Sequence, residues 1–182
     1  MAYRNGTYIA FHANGTKRPG ESDMDYYRLI AAWSAHPDID FTMVNSHDKA
    51  SAVRDASKKA TLRASIQERL RNSKNMVLIV GQTTRFDDDW VPFEIEQAVE
   101  VYGLPIIAVY PGHGPILQPT ALAPLWPEAL ADRLRRERAK AIHIPFKKDP
   151  IMDAISQFHV QNHPKSPHAY YGPDAYKTWG LL

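Results

Sequence analysis

Two short stretches hold no polar residue where a half-covered strand would need one. Met76 to Val80, inside KNMVLIVG (74–81), is wholly apolar, and LPIIAVYPG (104–112) carries a similar run. A strand with one face in water alternates apolar and polar side chains. One that is apolar throughout is covered on both faces, which is the situation of a strand inside a parallel sheet. Parallel strands cannot be joined by tight hairpins. They need crossovers, so helical segments must lie between them.

The chain supplies those segments in order. TYIAFHA (7–13), IDFTMVN (39–45) and AIHIPF (141–146) join the two runs above as strand candidates. Between them, residues 21–35 place Met24, Tyr27, Ile30 and Trp33 at helical spacing, and residues 54–73 place Leu62, Ile66 and Leu70 four apart. Residues 124–140 carry Trp126, Leu130 and Leu134 on one stripe, and 148–160 form a last helix. Five strand–helix pairs predict an α/β fold, a flavodoxin-like five-stranded parallel sheet with helices on both faces and strand order 2-1-3-4-5. Residues 1–160 are expected to form this domain. Residues 161–182, rich in Pro, Gly, His and aromatic side chains, read as an extension packed back on it.

Composition narrows the functional classes. A chain of 182 residues with 44% apolar content suits one soluble domain. A formal charge of +2 suggests neither a nucleic-acid partner nor a membrane surface. The absence of cysteine removes disulfides, thiolate metal sites and thiol nucleophiles. No secretion signal or membrane-length apolar run is found, so a cytoplasmic location is expected. No metal-ligand spacing is present, and His159, His163 and His168 have no carboxylate that completes one.

In such a sheet, ligands sit beyond the carboxyl ends of the strands. That edge should hold His12, Ala13, Asn45 to Asp48, Gly81 to Thr84, Tyr110 to His113 and Pro145. The stretch DDDWVPFEIEQAVE (87–100) starts the helix after the third strand. Pro92 suits a first helical position, which would make Val91 the cap and Glu94 the third residue. Acidic residues there meet the positive end of the helix dipole and need no other purpose. On a helical wheel Ile95, Ala98, Val99 and Tyr102 form the apolar arc, and Glu96 and Glu100 face water. Glu94 stands apart from that pair, at the margin of the arc. Trp90 reads as a packing anchor that also walls a cleft.

W-V-P-F-E (90–94) resembles the W-C-x-x-E motif of TIR domains. YIAFHA (8–13) resembles their first strand, and LIVGQTTRFDDDWVPFEIEQAV (78–99) is similar to the third strand, loop and helix of the bacterial TIR-like group that includes the TIR subunit of the Thoeris anti-phage system. The resemblance spans about residues 7 to 146. It implies a TIR-like fold and cleavage of NAD, as substrate and with no bound cofactor, at the nicotinamide–ribose bond. The products would be ADP-ribose or a cyclic isomer read by a downstream effector. By motif position it implies Glu94 as the catalytic carboxylate, with Phe11, His12, Asn45, His47, Thr83 and Trp90 as substrate-binding candidates. Val91 stands where the motif has cysteine, Ala10 where many members have serine, and residues 45–60 lack the usual assembly-loop signature. Assembly into a homo-oligomer is left open. Two other readings remain: a TIR-like module acting only by association, and a deoxyribosyltransferase-like enzyme using a glutamate nucleophile.

Overall fold

The computed structural model describes residues 4–14, 22–39, 41–44 and 56–182. The strands are β1 (Gly6–Ala10), β2 (Thr42–Val44), β3 (Ser73–Ile79), β4 (Ile106–Tyr110) and β5 (Ala141–Pro145). They form one sheet in the order β2-β1-β3-β4-β5, and every pairing is parallel. The fold is therefore the α/β architecture expected from the two apolar runs.

The central strands are apolar without alternation because both of their faces are used. Tyr8, Ala10, Met76, Leu78, Val80, Ile106, Ala108 and Tyr110 point into one core layer. Ile9, Phe11, Val77, Ile79, Ile107 and Val109 point into the other. The first layer is roofed by α2 (Ala56–Arg71), α3 (Trp90–Glu96) and α4 (Glu128–Arg135), which contribute Leu62, Ile66, Leu70, Ile95, Leu130 and Leu134. The second is roofed by α1 (Met24–Ser34) and α5 (Lys148–Gln157), through Met24, Tyr27, Ile30, Ile151, Ala154 and Ile155. Among the described residues no helix is long and apolar enough to cross a membrane.

Three local departures have physical causes. The helix expected from residue 124 begins at Glu128, because Pro127 holds an extended conformation, and a 3-10 segment occupies Pro119–Leu125 before it. The helix after β3 begins at Trp90 rather than Pro92, so Glu94 is its fifth residue. It then loosens into a π turn over Gln97–Val101, closed by a Tyr102 N–H bond to the Gln97 carbonyl of 3.1 Å. A π turn holds one extra residue and rotates the later residues around the axis. Ile95 and Ala98 are accordingly buried, whereas Val99 and Tyr102 are only partly so.

The last 22 residues run against the sheet edge and α5. Ala169 bridges to Ile142 of β5, with bonds from the His143 N–H to the Ala169 carbonyl (2.8 Å) and from the Ala169 N–H to the Ala141 carbonyl (3.0 Å). Tyr171 donates to Asp153, and the Tyr176 ring is fully buried. A short helix, α6 (Pro173–Thr178), closes the chain where the sequence offered no period to read.

Candidate active site

Asp87 and Asp89 divide the work of starting α3. The Asp87 carboxylate accepts the backbone N–H groups of Asp89 (3.1 Å), Trp90 (2.9 Å) and Val91 (3.3 Å) through one oxygen. These are donors that a helix start leaves unmatched. Asp89 pairs with Lys59 and lies 3.7 Å from Arg63, which ties α3 to α2. Asp88 is exposed. Helix initiation is thus served without Glu94.

Glu94 is wholly buried. A carboxylate placed only to meet a helix dipole stays in water, where ionisation is cheap. Glu94 instead enters the core layer and accepts a hydrogen bond from the Tyr8 hydroxyl of β1. Tyr8 is buried as well. Burial first, and then the negative charge of Glu94, push its phenol well above its ordinary range. Tyr8 therefore stays neutral and remains a donor. The other acids of the helix behave differently: Glu96 and Glu100 are exposed, and Glu100 meets Arg133 at 2.9 Å.

Trp90 is 7% exposed and packs in the same core layer, with the Lys59 ammonium 5.8 Å from its ring. It anchors the start of α3 beside Glu94. Phe11 is not at a cleft wall. It is fully buried on the α1 side and packs on Tyr27 with ring centroids 4.6 Å apart, because alternation along β1 turns it to the face opposite Tyr8. Asn45 and His47 lie outside the described residues.

Open space lies at the strand ends. A cleft of about 770 Å³ is bounded by the start of α1, the turn after β3 and the turn after β4. Thr83 lines it, and His12 reaches the Thr83 hydroxyl at 3.1 Å. Neither Glu94 nor Trp90 is among its walls. The expected candidates therefore fall into two groups: Glu94 with Trp90 under α3, and His12 with Thr83 at the sheet edge. The cleft floor holds an acid that the sequence did not single out. Asp23 is 4% exposed and accepts from the Thr84 hydroxyl at 2.8 Å, and that oxygen accepts from the Gly81 N–H at 2.8 Å. Gly81 is needed because a Cβ there would overlap the Asp23 carboxylate. Loss of water around Asp23 raises its pKa, opposed by the Thr84 bond and by His12. Among the described residues, no three His, Asp or Glu side chains come together to hold a metal ion.

Tyr8 was legible only in retrospect. A tyrosine in an apolar strand needs a partner for its hydroxyl, which is the one signal that could have drawn attention to it. Asp23 lies in ESDMD, at the start of a segment whose only sequence signal is the helical spacing of Met24, Tyr27, Ile30 and Trp33.

A 2-1-3-4-5 parallel sheet with a tryptophan and a buried glutamate in the helix after the third strand defines a TIR-like α/β domain. The sequence model of the family described as "Thoeris protein ThsB, TIR-like domain" matches residues 8–114, more than half of the chain, and the chain belongs to that family. The matched region includes Tyr8, Asp23, Trp90 and Glu94. Membership points to a function in anti-phage defence.

Proposed function

We propose that this protein cleaves NAD at the nicotinamide–ribose bond, with Glu94 as the catalytic carboxylate, in anti-phage signalling. The observation that carries this reading is the complete burial of Glu94 against Tyr8 while Asp87 caps the helix. An acid in a core is costly, and the structural task that would explain it is already performed by another residue. Buried ionisable groups of this kind concentrate at functional sites.

The chemistry needs little more than one anion. Nicotinamide leaves as a neutral molecule with the electron pair of the broken bond, so no acid has to protonate it. Positive charge develops on the ribose, and a carboxylate beneath the sugar stabilises it in a site of low polarity. The ribose carbon is then taken by water, giving ADP-ribose, or by the adenine of the same molecule, giving a cyclic product. The Tyr8 hydroxyl fixes the carboxylate's orientation. Because Glu94 has no exposed surface, turnover requires that it first be uncovered. Resting activity is low on this reading, and a trigger raises it.

The same burial favours a second reading, a TIR-like module that acts by association and never turns NAD over. Chromatography of NAD incubations separates the two, using purified protein and protein exposed to lysate from phage-infected cells. Nicotinamide release that disappears in Glu94→Gln supports the enzyme. Absence of release under both conditions supports the module.

A further inference from the structure

We propose that the cleft beside β3 and β4 binds the adenosine part of a nicotinamide dinucleotide, with Asp23 accepting its ribose hydroxyls and Tyr26 and Phe86 flanking its base. The assignment rests on the NAD reading above and extends it to a separate set of residues. The cleft lies at the carboxyl edge of the sheet, beside the β1–β3 switch point, the position at which open parallel sheets take ligands. Its volume of about 770 Å³ is in the range of small-molecule pockets.

The floor is built rather than incidental. Asp23 is held from one side by the Thr84 hydroxyl at 2.8 Å, and the absence of a side chain at Gly81 makes room for it. Its own N–H is fixed by the His12 carbonyl at 3.1 Å. No described lysine or arginine lies within ion-pair distance of it. A carboxylate held this way at a ligand edge accepts paired hydroxyl donors, which a ribose diol presents. At the rim, Tyr26 is 37% and Phe86 is 63% exposed. Large exposed rings on the wall of one cleft offer flat faces to a base. Arg85 lines the same cleft, with its guanidinium 4.6 Å from the Phe86 ring and bonded to the Pro124 carbonyl at 3.0 Å, so the rim carries one positive charge that a phosphate could meet.

Position decides between the two riboses of the dinucleotide. The reacting ribose must meet Glu94, and Glu94 does not line the cleft. The ribose in the cleft is therefore the adenosine one. A phosphate on its 2′ oxygen would face Asp23, so NADP should be rejected.

The test is calorimetric binding of NAD, NADP and ADP-ribose to Glu94→Gln protein, in which turnover is blocked. NAD and ADP-ribose are expected to bind, and NADP at least about tenfold more weakly. Adding Asp23→Asn should weaken NAD about tenfold and narrow the NAD–NADP difference. Phe86→Ala, at an exposed position, and Tyr26→Ala, checked for its melting temperature because Tyr26 also packs on Phe146, should each weaken NAD about tenfold. Unchanged NAD affinity and unchanged NADP rejection in Asp23→Asn, with both aromatic variants silent, would overturn the assignment. So would failure of both NAD and ADP-ribose to bind. Binding that depends on Asp23, in a protein that releases no nicotinamide, would uphold the cleft while the reaction reading fails. Release with an Asp23-independent KM would do the reverse.

Discussion

Two buried tyrosines lie on the same face of the sheet and end in different chemistry. Tyr8 on β1 donates to Glu94, an acid brought into the core from α3. Tyr110 on β4 sits in a chain of neutral groups. Trp126 donates its indole N–H to the Tyr110 hydroxyl at 2.8 Å, and that hydroxyl meets His143 Nδ1 at 2.6 Å. His143 Nε2 lies 3.2 Å from the Pro167 carbonyl. A carbonyl only accepts, so Nε2 carries the hydrogen and Nδ1 accepts from Tyr110. The chain closes on the backbone, and every member is neutral. Burial lowers the His143 pKa to about 4. A network of this kind fixes one packing arrangement, here the C-terminal segment against β5. Tyr8 holds an ionisable group where neutral packing would be cheaper. The Tyr110 network serves the fold, and the Tyr8–Glu94 pair is the one the proposed reaction would use.

The same substitution at the two tyrosines should have opposite effects. Tyr110→Phe leaves both the Trp126 N–H and His143 Nδ1 unmatched in the core. It should destabilise the protein by roughly 2–4 kcal/mol, read by denaturant unfolding, with little change in activity per folded molecule. Tyr8→Phe should act the other way round. A stability change of about 1 kcal/mol is expected, with a fall in kcat of about tenfold and little change in KM. The acid limb of its pH–rate profile should move to higher pH, because the ionised carboxylate loses a donor. Equal stability losses and an unmoved pH profile would erase the distinction.

The neutral network also predicts how stability responds to acid. His143 titrates near 4 when folded and near 6.5 when free, so the unfolded chain binds more protons between those values. Its contribution is fully present above about pH 6.5 and is lost as pH falls toward 4. The loss amounts to about 3 kcal/mol, and unfolding curves of His143→Gln should show a shallower slope in that window. The smallest effect belongs to the helix start. Asp87→Ala should cost about 1 kcal/mol through the lost cap, and Asp88→Ala should cost less than about 0.5 kcal/mol.

Much of the fold was legible because periodicity dictates it. The unalternating runs at Met76–Val80 and Ile106–Tyr110 forced a two-faced parallel sheet, and the stripes of α2 and α4 found the cores they implied. Helix ends were less legible. Pro92 suits several early helical positions, and Pro127 overruled a periodic stripe that ran through it. The π turn after Glu96 left no trace in the sequence. At the candidate site, the helical wheel set Glu94 apart from Glu96 and Glu100 and the W-x-x-x-E resemblance marked it with Trp90, yet neither could reveal that Tyr8 lies under Glu94, since the two are 86 positions apart. The same limit hid Asp23, whose burial depends on Gly81 and Thr84, which a different part of the chain supplies.

The most direct measurement is nicotinamide release from NAD by the parent protein and by Glu94→Gln, in lysate from infected cells, with melting temperatures taken for both. Release by the parent is expected, with a loss of at least about 100-fold in the variant and two proteins that melt within a few degrees of each other. Full release by a normally folded Glu94→Gln protein would contradict the role given to Glu94.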